Sequence, residues 1–516
     1  MRPATSKFQV TPSWASPGKD TDETSRLIGV PTADPPPTRT THDETLTPHL
    51  MKAGFLAAFA LILASCAIPD TPLWNEKRTA GTVRMPMETV TKVVVKGTLV
   101  SMIRNPVSGT RKGLSMLRGR YELAAESVMT LNRVNTSHQK ATSIDDLLDR
   151  LHLPASVPGT VDYLIDGQAF FSDIETEIQN ATKSVDTRVF IFDNDDYAVR
   201  FADFLRWKSQ NASCRVLMDE LGSIAAWWTP PGSAMPPDFK SPGSMPHYLR
   251  KASRVKVRES KNPWFVTDHT KVFLIDDRIG YLGGMNIGRE YRYDWHDMMI
   301  RVEGPVVMEF KNDFDHAWQR QGGLGDWGVP FLKKSHVRRD KQPGEIDIRI
   351  LKTGPGKREI ETAMLASIRM ARQRVYLQNS YFTSDILVDE LIKARKRGVD
   401  VRMVFPEDND SNLLDKSNRA MAKALLNAGG RVYLYPRFTH IKALVVDDWA
   451  CLGSANFDGL SMRINDELNI AFSNKAKVDE LVRDLFEKDF QRSKRLTKME
   501  ARAWTDVLLE PLLNQF

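Results

Sequence analysis

Cysteine is scarce in this sequence, and the few that occur follow no metal-binding or disulfide pattern. The 516 residues include three cysteines, without a C-x-x-C pair or a Cys/His cluster at ligand spacing. This leaves little room for a structural zinc site or a disulfide scaffold, so metal-free chemistry is expected. Long apolar runs are also missing, since the longest stops well short of the roughly 20 residues of a membrane-spanning helix. A polytopic membrane protein is therefore disfavoured.

The overall composition is that of a folded protein with a small basic excess. Apolar residues make up 41% of the chain and charged residues 27%, which argues against a collagen-like or largely disordered protein. At roughly 100–200 residues per domain, the chain should hold two to four domains. Lysine and arginine exceed aspartate and glutamate by 72 to 65, with basic patches at residues 393–397, 333–341 and 492–498. Such patches suit a phosphate-bearing partner, lipid or nucleic acid, although solvated surface charge is the plainer explanation.

The first 66 residues predict a leader rather than part of the fold. Residues 1–50 are rich in Pro, Thr and Asp, which predicts a disordered stretch or a non-native extension before a physiological start at Met51. Residues 51–66 predict a signal peptide, and its ending Leu-Ala-Ser-Cys resembles a bacterial lipobox. A lipidated Cys66 followed by Ala67 predicts an outer-membrane lipoprotein of the bacterial cell envelope that faces the periplasm. A buried apolar helix and an uncleaved anchor are the alternatives.

Alternating strands and helices begin near residue 161, after a region from 67 to 153 that predicts irregular structure apart from a helix-like stretch at 117–131. The alternation predicts an α/β sandwich with largely buried strands. The same order recurs about 190 residues later, which indicates an internal duplication. We therefore expect one half at 154–330 and the other at 331–516, with the link at 321–325 and 333–344. The predicted strands are 161–165, 185–192, 215–219, 346–351, 374–378 and 399–405, and the predicted helices are 168–181, 197–208, 357–371 and 384–397.

Both halves contain the same constellation of polar residues, H-x-K-x4-D followed by G-[GS]-x-N. On a strand, residues i and i+2 point to the same face, so the histidine and lysine of each motif project side by side into one space. The apolar residues 272–275 and 443–446 that follow predict buried strands. The aspartate then turns the chain, and the glycine lets the backbone and the asparagine approach the same space. The motif residues are His269, Lys271, Asp276 and Asn286 in the first half, and His440, Lys442, Asp447 and Asn456 in the second.

One further carboxylate completes each set. Asp297 follows His269 by 28 residues, and Glu467 follows His440 by 27 residues. The difference arises because the second hairpin is one residue shorter than the first. We therefore assign Asp297 to the set of His269, and Glu467 to the set of His440.

These motifs resemble the phospholipase D superfamily, and within it the two-motif branch that includes bacterial cardiolipin synthases. Residues 453–458 and 465–467 in the second half, and 301–305 in the first, are similar to that branch in detail, and the resemblance covers about residues 161–486. It implies a duplicated α/β sandwich whose halves pack about a pseudo-twofold axis and build one active site. Gly284 departs from the usual serine, and the shorter second hairpin is a second departure.

The resemblance also implies a mechanism. A phosphodiester is anionic and resists attack, so its cleavage needs a nucleophile, a proton donor and positive groups around the non-bridging oxygens. Paired H-x-K motifs supply all three without a cofactor or a metal. His269 is expected to attack phosphorus and form a phosphohistidine, while His440 protonates the leaving group and then deprotonates the incoming alcohol or water.

The remaining motif residues have supporting roles in this scheme. Lysines and asparagines are expected to bind the phosphoryl oxygens, and a carboxylate is expected to accept from the distal nitrogen of each ring and fix its tautomer. The aspartates that complete H-x-K-x4-D belong to the catalytic motif. They are nevertheless expected to hold the lysine or the hairpin in place rather than to contact the substrate. Histidines outside the motifs, at 247, 296, 316 and 336, are expected to be structural. The assignments are Lys271, Lys442, Asn286 and Asn456 for phosphate, Asp297 and Glu467 for the histidines, and Asp276 and Asp447 for the hairpins.

The sequence thus predicts a metal-independent phosphodiesterase or phosphatidyltransferase that acts on membrane phospholipids through a phosphohistidine. Its expected partners are anionic phospholipids, an alcohol or water acceptor, and a membrane surface reached through the lipid anchor, whereas nucleic acid is disfavoured. A nuclease of the same superfamily and an inactive lipid-binding scaffold are the alternatives. The choice between transfer and hydrolysis stays open, because water and glycerol-type acceptors would use the same phosphohistidine.

Overall fold

The computed structural model describes residues 85–121, 123–409 and 412–497. The predicted extension at 1–50, the signal peptide at 51–66 and the lipidation site Cys66 lie outside the described residues. Within the described ranges, no helix is both long enough and apolar enough to cross a membrane.

Helices precede the duplicated part of the chain. The prediction of irregular structure across 67–153 was wrong from residue 87 onward, and the stretch 117–131 covers the end of one helix and the start of the next. The last of these helices begins at a regular N-cap, where the Ser143 hydroxyl accepts from the Asp146 backbone N–H at 3.1 Å. The helices are α1 (Met87–Arg104), α2 (Pro106–Tyr121), α3 (Leu123–His138) and α4 (Ile144–Arg150).

The first half follows the predicted alternation, and each predicted strand and helix falls on an observed one. Three of its helices begin at a capping side chain: the Asp195 carboxylate, for example, accepts from the Ala198 N–H at 2.7 Å. The elements are β1 (Val157–Ile165), α5 (Asp166–Asn180), β2 (Ser184–Val189), α6 (Asp196–Lys208), β3 (Ser213–Asp219), α7 (Glu220–Trp227), α8 (Met245–Arg250), β4 (Lys256–Ser260), β5 (Val272–Ile275), β6 (Ile279–Gly283), β7 (Met298–Glu303) and α9 (Val306–Arg320).

The second half repeats this order after a link that contains a 3-10 turn at Gly325–Phe331. Its predicted elements are confirmed to within a few residues at their ends. The elements are β8 (Ile346–Gly354), β9 (Lys357–Arg358), α10 (Glu359–Met370), β10 (Arg374–Gln378), α11 (Asp385–Lys396), β11 (Asp400–Pro406), α12 (Asn412–Asn427), β12 (Arg431–Tyr435), β13 (Ala443–Val446), β14 (Trp449–Gly453), α13 (Gly459–Arg463), β15 (Glu467–Ser473), α14 (Lys475–Leu481), α15 (Glu487–Arg492) and β16 (Lys494–Leu496).

The strands form one continuous sheet whose order shows the duplication. Read outward from the centre, the first half runs β1-β7-β6-β5-β2-β3-β4 and the second runs β8-β15-β14-β13-β10-β11-β12-β16. The halves meet where β1 and β8 pair antiparallel, with Val157 opposite Ile348. Corresponding strands therefore occupy corresponding places on either side of an antiparallel centre, as a pseudo-twofold relation requires. The predicted duplicated α/β fold is confirmed.

Three large apolar cores hold the sheet and its helices together. One lies within the first half, and one joins the second half to Val134 of α3 and Leu147 of α4. The third is shared between the halves: Phe310 and Phe314 of α9 pack in the same cluster as Leu485 and Phe486 of the second half. All four of these side chains are almost completely buried. Because the shared core contains side chains from both halves, their packing brings the two motifs to a common place.

Candidate active site

The two motif histidines are held by backbone pairing between the halves. His269 and His440 lie just before β5 and β13, the short buried strands of the two motif hairpins. The His269 N–H donates to the Asp466 carbonyl at 3.0 Å, and the His440 N–H donates to the His296 carbonyl at 2.7 Å. Each motif of one half is thereby attached to the segment that carries the orienting carboxylate of the other half.

The orienting carboxylates are exchanged between the halves. Nδ1 of His269 lies 2.8 Å from Oε1 of Glu467, and Nδ1 of His440 lies 2.7 Å from Oδ2 of Asp297. The role predicted for the two carboxylates agrees with this geometry, but their assignment each to its own motif was wrong. With Nδ1 bound to a carboxylate, Nε2 of each ring is the nitrogen left for chemistry.

Gly284 and Ser454 occupy equivalent places in the two hairpins, and each lies beside one of the two carboxylates. The longer Glu467 leaves room for a serine side chain, whereas the shorter Asp297 does not. In the second half, the Ser454 hydroxyl donates to Glu467 at 2.5 Å. In the first half the shorter Asp297 comes closer to the hairpin, and a Cβ added to Gly284 would lie 2.1 Å from its Oδ1 atom. Glycine at 284 is therefore required by the aspartate, and the departure from the usual serine has a steric cause.

The two motif lysines are buried beside the histidines. Lys271 Nζ donates to the His269 carbonyl at 2.8 Å, and Lys442 Nζ donates to the His440 carbonyl at 2.7 Å. Lys271 is fully buried and also lies 5.1 Å from the centre of the Phe190 ring. These contacts fix two lysine amino groups beside the imidazoles, where a phosphoryl group would need positive charge.

Burial controls the protonation of the histidines. It lowers the pKa of His269 and that of His440 well below the usual value of 6.5, and the charges of Lys271 and Lys442 lower both further. His269 itself contributes to the lowered pKa of His440, because a second positive charge nearby is unfavourable. Both rings are therefore neutral at pH 7 in the free protein, and an anionic phosphate favours protonation of one of them.

The buried partners of the histidines are shifted towards their neutral forms as well. Burial raises the pKa of Asp297 to about 7 and that of Glu467 to about 8, against the opposing charges of Lys442 and Lys271. Burial likewise lowers the pKa of Lys271 to about 7, although the Glu467 charge opposes this. Several groups in one small space thus titrate near neutrality, as is typical of sites that transfer protons.

The two asparagines of the motifs are held differently. The Asn286 amide is used within the fold, since its oxygen accepts from the Ile191 N–H at 2.9 Å and its nitrogen donates to the Tyr291 hydroxyl at 3.0 Å. Asn456 bonds to Asp458 and helps to lower the pKa of that carboxyl against burial, which raises it to about 6. Its buried Oδ1 has no hydrogen-bond partner among the described residues. The phosphate role predicted for the asparagines stays a prediction.

The aspartates that complete the motifs lie at the far ends of β5 and β13, away from the histidines. Asp276 accepts from the backbone N–H groups of residues 182, 183 and 184 at 2.8 Å each. Asp447 accepts in the same way from residues 372, 373 and 374 at 2.8–3.0 Å. Both carboxylates tie a motif hairpin to the strand beside it, and the structure does not bring either of them to the reacting groups.

Aromatic rings surround the histidines. Phe190 meets the His269 ring edge-on at 4.9 Å, and Trp295, Tyr291 and Phe438 lie 5.3, 5.9 and 6.0 Å from the His440 ring. The predicted elements around the motifs did not identify these rings as site residues. Such walls exclude water and strengthen the electrostatic interactions inside the site.

His296, which the sequence analysis treated as structural, supports the site from behind. Its Nδ1 lies 2.6 Å from Asp166, its Nε2 lies 2.8 Å from the buried Asp489, and its ring stacks on Tyr435. Burial alone would lower the pKa of His296, but the two carboxylates outweigh it and raise this pKa to about 9. The charged His296 ring therefore anchors the backbone directly before Asp297. In the sequence, only its position next to Asp297 indicated this supporting role.

The helices before the duplication also reach the site. Lys112 of α2 forms an ion pair with Asp466 at 2.9 Å, one residue before Glu467. The Trp264 indole, five residues before His269, donates to the Gly109 carbonyl at 3.2 Å. Both partners are distant in sequence, so no spacing pattern could have revealed these contacts.

The fold and the site together define the phospholipase D class: two equivalent α/β halves, each contributing an H-x-K-x4-D motif to one shared centre. The chain belongs to the family described as "Cardiolipin synthase, PLD-like domain", whose model matches residues 174–318 and 364–492. Both matched segments include one of the two motifs.

Individual relatives agree with this family. The chain is 28% identical over 353 residues to a cardiolipin synthase of Listeria monocytogenes serotype 4a (strain HCC23), covering 65% of this chain and 70% of the relative. It is 27% identical over 369 residues to cardiolipin synthase A of Pseudomonas entomophila (strain L48), covering 68% and 72%. The crystal structure of phosphatidylserine synthase from Haemophilus influenzae Rd KW20 superposes with a TM-score of 0.53 at 14% identity, over 74% of this chain and 97% of that one. This last similarity shows the fold alone.

Proposed function

We propose that the protein is a metal-independent phosphatidyltransferase or phosphodiesterase that cleaves membrane phospholipids through a phosphohistidine. The observation that carries the proposal is the exchanged pair of His–carboxylate contacts, His269 with Glu467 and His440 with Asp297. One site then holds two oriented imidazoles and two buried lysines, which is what cleavage of an anionic diester requires. Membership of the cardiolipin synthase family and the relatives above support phospholipids as the substrates.

In the first step, Nε2 of His269 attacks phosphorus, and the bond to the leaving alcohol breaks. His440, protonated when the anionic phosphate is bound, gives its Nε2 proton to the leaving alkoxide. Glu467 holds the proton on Nδ1 of His269, so the Nε2 lone pair is available, while Asp297 stabilises the imidazolium of His440. Lys271 and Lys442 offset the negative charge on the non-bridging oxygens.

In the second step, neutral His440 accepts a proton from an alcohol or from water, whose oxygen attacks the phosphohistidine and releases His269. An alcohol acceptor gives a new phosphodiester, whereas water gives a phosphomonoester of the lipid. Across the described residues, no group of three or more His, Cys, Asp or Glu side chains could hold a metal ion. The absence of a metal requirement stays a prediction.

Incubation of the purified enzyme with labelled phosphatidylglycerol vesicles, with and without a second alcohol such as ethanol, tests the proposal. We expect a labelled product that changes with the acceptor, unchanged rates in EDTA, and little activity on DNA or RNA. The matched control is Lys271→Met, which preserves side-chain length but removes the buried charge, and it should be nearly inactive. Strong chelator-resistant nuclease activity with no lipid product would identify a nuclease, and complete inhibition by EDTA would contradict the mechanism.

We also propose that the mature protein is a lipoprotein acylated at Cys66 and attached to the outer membrane on its periplasmic side. The Leu-Ala-Ser-Cys sequence at 63–66, the short apolar run before it and Ala67 after it support this proposal. Mass spectrometry of membrane-extracted protein should detect an acylated amino-terminal Cys66 and no peptide from residues 1–65. Recovery of peptides from that segment, or of an unacylated Cys66, would contradict it.

A further inference from the structure

Exposed apolar side chains are concentrated on one part of the described surface. Eleven large hydrophobic residues are exposed among the described residues, and nine of them lie on α1, α2 or the turn at 324–331. The other two, Trp207 and Tyr293, lie elsewhere in the first half. The nine residues, called here the apolar platform, are Val95, Leu99, Met102, Ile103, Val107, Leu114, Leu324, Trp327 and Phe331.

Helix α1 shows why these side chains are unpartnered. Val90, Val94 and Ser101 lie on its buried face. Leu99 and Ile103, one turn apart on the opposite face, are 62% and 78% exposed. The helix therefore packs on the protein with one face and exposes a second apolar stripe on the other. A helix face exposed to water is ordinarily polar.

The 3-10 turn extends the same surface. Gly325 packs against the corner between α1 and α2, where an added Cβ would lie 2.1 Å from the Arg104 carbonyl oxygen. Asp326 accepts from the Ser108 N–H at 2.7 Å, which fixes the turn to the start of α2. Trp327 and Phe331 project from this fixed turn with 67% and 82% exposure. A tryptophan and a phenylalanine held outward in this way are typical of side chains at a membrane–water interface.

Basic side chains surround the platform. Between residues 88 and 116, α1 and α2 carry five lysines or arginines and a single acidic residue, Glu88, which pairs with Lys92 at 2.5 Å. A groove of 970 Å³ along α2 is bordered by Val107 and Leu114 together with five arginines or lysines and one glutamate. An apolar surface within a basic border is complementary to an anionic bilayer, whose acyl region accepts the apolar groups and whose phosphates attract the cations.

We propose that the apolar platform docks on the surface of an anionic phospholipid bilayer. The proposal rests on the proposed function, because a phospholipid-cleaving enzyme must meet its substrate at a bilayer. The platform inserts only side chains and does not span the membrane. It adds a docking contact that is independent of the acylation proposed at Cys66.

The platform is connected directly to the catalytic motifs. Lys112, on the buried face of α2, pairs with Asp466, whose carbonyl accepts from the His269 N–H at 3.0 Å. A Cβ added to Gly113 would lie 2.8 Å from the Trp264 indole nitrogen, so α2 also packs tightly on the segment that leads to His269. Docking of α2 therefore sets the orientation of the site relative to the bilayer.

The test measures vesicle binding of the full chain carrying Cys66→Ser, so that no acyl chain contributes. The matched pair of variants is Trp327→Ala on the platform and Trp207→Ala on α6, since Trp207 is also exposed, at 52%. Binding is measured by co-sedimentation with phosphatidylglycerol–phosphatidylcholine vesicles and with phosphatidylcholine vesicles. A second variant, Leu99→Asp with Ile103→Asp, removes the α1 stripe. Hydrolysis of a soluble p-nitrophenyl phosphodiester reports on the catalytic site without a bilayer.

We expect Trp327→Ala to lower the partition coefficient about tenfold, and the double variant to lower it further, because each removes apolar area from the interface. Trp207→Ala should bind like the parent. Binding should be stronger to anionic vesicles and should weaken as salt is raised. All variants should hydrolyse the soluble diester at the parent rate.

Three results would overturn the docking proposal: equal binding by the two tryptophan variants, equal binding to anionic and neutral vesicles, or a dimer of the parent that Leu99→Asp dissociates. The dimer would mean that a second copy covers the platform. The proposed function fails separately. If the vesicle pattern is as expected while neither phosphatidylglycerol nor the soluble diester is cleaved, the docking surface stands and the enzymatic proposal is wrong.

Discussion

The exchange of carboxylates between the halves gives a specific prediction about two conservative substitutions, Asp297→Asn and Glu467→Gln. Oδ1 of Asp297 accepts from the Met298 N–H at 2.7 Å, and Oε2 of Glu467 accepts from the Ser454 hydroxyl at 2.5 Å. An amide in either place keeps its oxygen on that donor and turns its NH2 group towards Nδ1 of the histidine. Nδ1 must then accept instead of donate, which moves the proton of a neutral ring to Nε2.

The two substitutions should therefore impair different steps. Glu467→Gln removes the free Nε2 lone pair of His269, so formation of the phosphohistidine should slow. Asp297→Asn deprives the His440 imidazolium of its acceptor, so steps that need a proton donor or base should slow. A buried hydrogen bond to a charged group contributes about 1.5–3 kcal/mol, which corresponds to a rate loss of about 10- to 150-fold.

A labelled p-nitrophenyl phosphodiester separates these steps, because its leaving group needs little protonation. Rapid quenching measures the labelled phosphohistidine, and product release measures turnover. Asp297→Asn should accumulate label and turn over slowly, as we expect of His440→Ala. Glu467→Gln should form label slowly, as we expect of His269→Ala. Comparison with the histidine variants makes the test independent of which histidine is the nucleophile. The exchanged pairing would be refuted by the opposite result. In that case Asp297→Asn would show the labelling and turnover of His269→Ala, and Glu467→Gln would show those of His440→Ala.

Three further predictions concern residues around the site. The pKa of His296 is raised to about 9 in the folded protein, so its contribution is complete below pH 6.5 and is lost as the pH rises to 9. His296→Gln should thus cost roughly 3 kcal/mol in urea unfolding at pH 6 and much less at pH 9.5; an equal loss at both would contradict this. Gly284→Ser should lower activity more than tenfold by displacing Asp297. Ser454→Gly, which displaces no group but removes the hydroxyl that donates to Glu467 and accepts from the Leu468 N–H, should be milder in the same steady-state assay. Lys112→Met should lower kcat several-fold on the soluble diester with little change in KM, and recovery by Lys112→Arg would separate its charge from packing.

Local patterns were sufficient for the fold class and for the position of each motif. The alternation of strand-like and helix-like segments identified the strands that β2, β3, β10 and β11 now occupy, and the i and i+2 rule placed each lysine beside its histidine. Such features depend on a few neighbouring residues, so they can be read directly from the chain. The helix α1 was missed because its exposed and buried faces are both apolar, which weakens the 3.6-residue period on which prediction relies.

Tertiary structure alone decided which partners meet. Asp297 and Glu467 have nearly the same spacing from their own histidines, yet each bonds the histidine of the other half. Spacing cannot distinguish these arrangements, because the choice depends on how β1 and β8 join the halves and on their shared core. The sequence by itself determined the two motifs and the α/β elements that carry them, since both follow from local periodicity. The contact between His440 and Asp297 joins residues more than 140 positions apart. It could not be predicted from local periodicity, because it depends on how the two halves pack together.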